Sequence, residues 1–162
     1  MMIDEVYNKR ILALAANIEG LRRLEAPDAT ATALSRLCGS KVTVDIRMEG
    51  DVVTEFGHEV KACALGQASS SLMARHVVGS NAEELREVRR QMYAMLKEDG
   101  DPPGGRWAEL EVLLPVRGFK PRHASTLLTF DAVVDAIGKV EAGREGAAAN
   151  GKAGCSTPPA AE

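Results

Sequence analysis

Val42-Thr43-Val44-Asp45-Ile46-Arg47-Met48 alternates apolar and polar residues, and Glu49-Gly50-Asp51 follows it. A period of two puts Val42, Val44, Ile46 and Met48 on one face of a strand and Thr43, Asp45 and Arg47 on the other. The Glu-Gly-Asp triplet supplies a turn, and residues 52–60 then read as the antiparallel partner strand. This hairpin leads directly into Cys63-Ala64-Leu65-Gly66-Gln67-Ala68-Ser69-Ser70-Ser71-Leu72-Met73. A helix is expected there, from about Leu65 to Val77, with its stop at Gly79. Cys63 therefore stands just ahead of a helix N-terminus, a setting that favours the thiolate. The thiolate is the form that binds metals and attacks sulfur.

Upstream of the hairpin, residues 4–18 carry Ile11, Leu12, Ala15 and Ile18 at helical spacing, with Asp4 and Glu5 suited to a first turn. Residues 19–29 form a polar connection containing Pro27. Thr30 to Leu34 reads as a short strand, and Cys38 lies at the edge of the alternating pattern. Downstream, Ser80 or Asn81 caps a helix with Glu83 and Glu84 in its first turn and an apolar stripe of Leu85, Val88, Met92 and Met95. Residues 100–105 break the chain. Trp107, Leu110, Leu113 and Leu114 suggest a short helix, and residues 115–122 a loop. Ser125 is expected to cap the last helix, which buries Leu127, Leu128, Val133, Val134 and Ile137. From Gly143 the chain is Ala, Gly and Pro with almost no large apolar residue, and disorder is expected.

Early strands and late helices predict an α+β, two-layer fold: a small antiparallel sheet of about three strands packed against several helices. Residues 1–142 make one domain, and residues 143–162 a tail. The chain of 162 residues has 27% charged residues and a net charge of -3, which argues against a general nucleic-acid binder. No apolar run approaches the roughly 20 residues of a membrane span. The N-terminus is acidic where a signal peptide is basic, so the protein is expected in the cytoplasm. Three cysteines in such a chain read as thiols or ligands rather than a disulfide framework.

The order of Cys38-Gly39, the hairpin, Cys63, Ala68-Ser69-Ser70-Ser71-Leu72-Met73 and Gly79 resembles the U-type iron–sulfur cluster scaffold family, which includes the N-terminal domain of NifU and the Isc and Suf scaffolds. The resemblance spans about residues 4 to 140. The family's pattern has an aspartate two residues after the first cysteine, where this chain has Ser40. Its third cysteine aligns with Ser125 through Leu128, Phe130, Ala132 and Val133. The chain thus resembles a divergent member lacking the third cysteine, with His123 two residues before Ser125 as a possible nitrogen ligand. Leu113-Leu114-Pro115-Val116-Arg117 is similar in part to the motif that some scaffolds present to an Hsp70-type chaperone.

The resemblance implies a cluster or metal site at Cys38, Cys63 and His123, with Ser40 and Ser125 at family ligand positions. Thiolate sulfur suits iron–sulfur clusters and zinc, and imidazole can replace it in part. It implies a scaffold that accepts iron and sulfur, assembles a transient cluster and transfers it, not an enzyme turning over a small substrate. The implied partners are a cysteine desulfurase and acceptor apoproteins, with no nucleic acid and no membrane. A homodimer sharing one cluster would supply four thiols. Two alternatives stay open: a zinc-binding sulfur-transfer partner of a desulfurase, and a degenerate scaffold acting only as an interaction module. Beside these stand plainer roles. Cys38 alone would be a small buried hydrophobe, Ser40 a turn residue and Ser125 a helix cap. His58 is expected exposed on its strand, His76 on a surface or in packing, and Cys155 as a free thiol in the tail.

Overall fold

Three strands form one antiparallel sheet in the order β1 (Ala29–Leu34), β2 (Lys41–Glu49), β3 (Val52–Lys61). These belong to a computed structural model that describes residues 8–36 and 39–153, with side chains as far as Arg144. Gly50, at φ +61°, makes the β2–β3 turn. Such a backbone angle costs glycine nothing and a branched residue much. The register pairs Val44 with both Ala31 and His58, and Ile46 with both Ala29 and Phe56. Alternation along each strand therefore collects these residues on one face, which is buried.

Of the helices α1 (Lys9–Ala16), α2 (Ala64–His76), α3 (Ala82–Lys97) and α4 (His123–Ala153), α2 and α4 pack against the sheet, α1 packs on α2, and α3 packs on α4. The Asn8 side chain caps α1 by accepting the Ile11 N–H at 2.9 Å. Asn81 does the same for α3, accepting from Glu84 at 2.7 Å. Residues 4–7 of the expected 4–18 helix lie outside the described residues, and the helix observed ends at Ala16, before Ile18. Trp107, Leu110 and Leu113 are buried, but the segment they occupy is a 3₁₀ helix, Gly105–Gly118, that runs through the expected loop at Pro115. A second 3₁₀ turn, Lys120–Arg122, joins it to α4. Helix α4 continues to Ala153, past Gly143. Residues 154–162, with Cys155, lie outside the described residues.

The outer face of β2 is not open to solvent as a half-buried strand would leave it. Asp45 is buried, and the 19–28 connection crosses over it. Arg23 pairs with the Asp45 carboxylate at 2.7 Å, and the Leu24 N–H donates to it at 3.0 Å. Gly57, the register partner of Asp45, lets this strap approach: a Cβ there would sit 2.5 Å from the Arg22 carbonyl oxygen. The strap also explains His58, which the sequence placed in solvent. Residue 58 points inward with Phe56, and its ring Nε2 lies 2.8 Å from the Glu19 carbonyl. The His58 ring is fully buried, 4.8 Å from the Phe56 ring. The two-residue period puts position 58 on the inner face with Phe56, and the Glu19 carbonyl meets its ring there.

Candidate functional site

The site lies where the β1–β2 turn, the end of β3, the start of α2 and the start of α4 converge. Cys63 is the N-cap of α2, in extended backbone at φ -67° and ψ 173°. Its side chain makes no capping hydrogen bond, so the sulfur stays available. The first helical turn is held instead by backbone and by Gln67, whose amide N–H₂ donates to the Ala62 carbonyl at 2.9 Å. Cys63 is half-buried.

The first turn of α4 reaches this sulfur. The Ser125 hydroxyl lies 3.3 Å from Cys63 Sγ and donates to the Arg122 carbonyl at 3.2 Å. Thr126 donates to the same carbonyl at 2.7 Å. Gly66 makes the approach possible. A Cβ at position 66 would stand 2.6 Å from Ala62 Cβ and 3.2 Å from the Ser125 carbonyl oxygen. Ser125 is therefore not the N-cap of α4. The Lys120–Arg122 turn runs into the helix without a break, and Ser125 falls within its first turn.

An open cavity of about 600 Å³ exposes the thiol, lined among others by Gly39, Ser40, Lys61, Gln67 and Arg122. Gly39 and Ser40 come from the β1–β2 turn. There the Gly39 N–H donates to the Ser35 carbonyl, and the Ser35 N–H donates to the Ser40 carbonyl, both at 2.8 Å. Gly39 holds a φ of +73°, which this turn requires. Ser40 is buried. Cys38 lies outside the described residues, although its neighbour Gly39 faces the cavity with Cys63.

His123 is buried and its ring is anchored away from solvent. Its Nε2 lies 2.9 Å from the Val116 carbonyl and 3.0 Å from the Arg117 carbonyl. Carbonyls only accept, so this nitrogen carries the proton and cannot also bind a metal. Only Nδ1 remains as a donor, and His123 is not among the residues lining the cavity. His76 and His58 serve elsewhere: His76 Nε2 pairs with Glu109 at 2.8 Å beside Trp107. Among the described residues no group of three or more His, Cys, Asp or Glu side chains could hold a metal. Burial alone pushes Glu109 up, but hydrogen bonds from His76 and Arg10 and the charge of Arg75 outweigh it and hold the carboxyl below its ordinary value.

The structure thus joins Cys63, Ser125 and Ser40 at one corner and leaves His123 beside it. Lys61, Gln67 and Arg122 belong to the cavity and were not singled out from the sequence. Gln67 follows Cys63 by one helical turn, a spacing that does carry a signal; Lys61 and Arg122 carry none.

The family model for the NifU-like N terminal domain matches residues 6–102. The chain is 21% identical over 140 residues to the iron-sulfur cluster assembly scaffold protein IscU of Thermotoga maritima, covering 86% of this chain and 98% of that one. It is 23% identical over 106 residues to the zinc-dependent sulfurtransferase SufU of Bacillus subtilis, covering 65% of this chain and 72% of that one. A crystal structure of a nitrogen-fixing NifU-like protein (N-terminal) from Brucella abortus superposes with a TM-score of 0.86 at 60% identity. That match covers 88% of this chain and 99% of that one. With the Cys63 corner built on this fold and the family match spanning the whole sheet and the first three helices, the chain belongs to the NifU-like N-terminal domain family.

Proposed function

We propose that the protein is an iron–sulfur cluster assembly scaffold. It accepts iron and sulfur, holds the growing cluster as cargo at Cys63, and passes it to acceptor apoproteins. The observation that carries this reading is the Cys63 corner. A half-buried thiol that caps nothing faces an open cavity beside the Gly39–Ser40 turn, in a chain of this family. The relative from Thermotoga maritima bears the name of such a scaffold.

Donor chemistry supports loose holding. Thiolate sulfur suits cluster iron, whereas the Ser125 hydroxyl is a hard oxygen and a weak replacement. Cys38 supplies the second thiol in this reading, and two chains together supply four. Sulfur comes from a cysteine desulfurase, and the protein itself turns over no small substrate. The work belongs in the cytoplasm, where thiols stay reduced; no helix among the described residues is long and apolar enough to cross a membrane. Anaerobic reconstitution with iron and sulfide is expected to yield thiolate-to-iron absorption that Cys38→Ala and Cys63→Ala each abolish. No absorption from the unaltered protein, or full absorption from both variants, overturns the reading.

A second reading is favoured by one observation, the similarity to a relative named as a zinc-dependent sulfurtransferase. Here Cys38 and Cys63 would hold zinc, and the Cys63 thiolate would take the outer sulfur of the desulfurase's persulfide, whose own cysteine leaves as the thiol. Elemental analysis of protein purified in air separates the two. One zinc per chain without iron supports the sulfurtransferase reading, and iron with acid-labile sulfide supports the scaffold.

A further inference from the structure

A second cavity, of about 260 Å³, lies between α1, the second half of α2 and the 3₁₀ segment. The scaffold reading makes no use of it. Ser71 lies on its wall, about 12 Å along α2 from Cys63. The volume is that of about nine water molecules, room for one small metabolite.

One end of the cavity is cationic. Arg10, near the start of α1, and Arg75, in the last turn of α2, both reach Glu109 Oε2, at 3.2 and 3.3 Å. His76 Nε2 meets the other oxygen of Glu109 at 2.8 Å. The carboxylate is therefore saturated, and two guanidiniums share its single negative charge. Each uses one nitrogen on Glu109 and keeps its other N–H donors for an occupant. The planar fork of a guanidinium matches a carboxylate.

The other end is anionic. Asn17 and Glu19 follow α1, and Asn17 stands about 10 Å from Arg10 along its axis. Asn17 Nδ2 donates to the Ala13 carbonyl at 2.7 Å, which leaves Oδ1 as an acceptor. The Glu19 carboxylate has no hydrogen bond or ion pair among the described residues. Ser71 is 1% exposed, and its hydroxyl has no partner among the described residues. A buried hydroxyl left unpaired costs stability. An occupant of the cavity supplies the partner that the fold withholds.

The geometry points to a binding site for a small zwitterion, a metabolite of the amino-acid class. Its carboxylate lies on Arg10 and Arg75, its ammonium toward Asn17 and Glu19, and a polar atom between them meets Ser71. Charge complementarity at both ends makes the choice. A dicarboxylate meets Glu19 with like charge, and a diamine meets the two arginines. Binding draws α1, α2 and the 3₁₀ segment together, since each supplies part of the wall. The site stands apart from the scaffold reading, because the two cavities have no lining residue in common.

The test titrates the full chain with 6-aminohexanoate, hexanoate, adipate and inorganic phosphate, by calorimetry and by unfolding midpoint. The amino acid should bind saturably at one site per chain and raise the midpoint, and the other three should bind about tenfold more weakly or worse. Arg75→Gln should weaken 6-aminohexanoate about tenfold, and in Glu19→Gln its advantage over hexanoate should vanish. Ser71→Ala removes the unpaired hydroxyl, so the free protein should be as stable as the parent or more so, while its affinity falls. Damage to folding cannot produce that split. No saturable binding below about 10 mM, equal affinity for the four probes, or unchanged affinity in Ser71→Ala overturns the proposal. Cys63→Ala should bind 6-aminohexanoate as the parent does. A protein that assembles a cluster but binds no zwitterion overturns this inference and leaves the scaffold. One that binds the zwitterion but forms no cluster overturns the scaffold and leaves this site.

Discussion

The Ser125 hydroxyl stands 3.3 Å from the Cys63 sulfur, so the first turn of one helix touches the N-cap of another. The two residues are 62 positions apart. The contact depends on Gly66, and on the Arg122 carbonyl that receives both Ser125 and Thr126.

Ser125→Cys should place a second thiol within reach of Cys63. A disulfide sulfur–sulfur bond is about 2.0 Å, so closing it needs a shift of about 1 Å. Mild oxidation of this variant should link positions 63 and 125, seen by peptide mapping of the non-reduced protein. Free thiols at both positions after oxidation would show that the two side chains do not face each other.

Gly66→Ala should cost about 1–3 kcal/mol, because the new methyl meets Ala62 Cβ at 2.6 Å and has backbone behind it. It should also push the start of α4 away from Cys63. Urea unfolding gives the stability, and the reconstituted iron content gives the site. A variant as stable as the parent would refute the close packing.

His123→Ala removes the donor that holds two carbonyls of the 3₁₀ segment, and a loss of about 1–3 kcal/mol is expected. His123→Gln, which can donate to one of them, should recover part of the loss. If His123 also serves as a ligand through Nδ1, metal content falls in both variants; if it is only an anchor, the glutamine variant keeps its metal.

Asp45 sets an acid limit. Burial alone pushes its carboxyl up, but hydrogen bonds from Arg23, Thr30 and Leu24 with the Arg23 charge outweigh it and hold the group below its ordinary 3.8. A carboxyl lowered in the folded state contributes stability above its unfolded value, which is lost as pH falls through the folded one. Unfolding midpoints should therefore drop below about pH 4. Asp45→Asn should be less stable at pH 7 by about 2–3 kcal/mol and should show a flatter profile below pH 4.

His58 acts at milder acidity. Burial pushes its ring below the ordinary 6.5, and the Glu19 carbonyl offsets only part of that. The folded state prefers the neutral ring, so stability is complete above pH 6.5 and declines as pH falls below it. Thermal midpoints measured from pH 7.5 to 5 should fall in the parent and stay nearly level in His58→Leu, whose midpoint at pH 7.5 is lower for want of the Glu19 bond. Equal slopes would mean that the ring is not buried neutral.

Much of this was open to reading in the chain. The alternation through Val42 and Met48 specified the strand and its inner face, and the turn at Gly50 specified the hairpin. Cys63 ahead of small residues marked the start of α2. His58 was misjudged because its polar ring was weighed over its alternation with Phe56, which places it on the inner face. Ser125 was expected to cap a helix that instead begins at His123, because the preceding 3₁₀ turn feeds straight into it. Hydrophobic periodicity also hides a 3₁₀ helix, since three and 3.6 residues per turn bury nearly the same side chains over so short a run.

Local rules determined the elements by themselves. A two-residue period, a glycine turn and a cysteine before a small-residue helix depend only on near neighbours in the chain. Only the tertiary structure decided what Cys63 meets. The hydroxyl at position 125 with the cation at 122, the cation at 61, and the turn at 39–40 come from three separate stretches. The missing Cβ of Gly66 sets α4 against α2. Such approaches depend on which faces are buried together, which no single stretch of the chain contains.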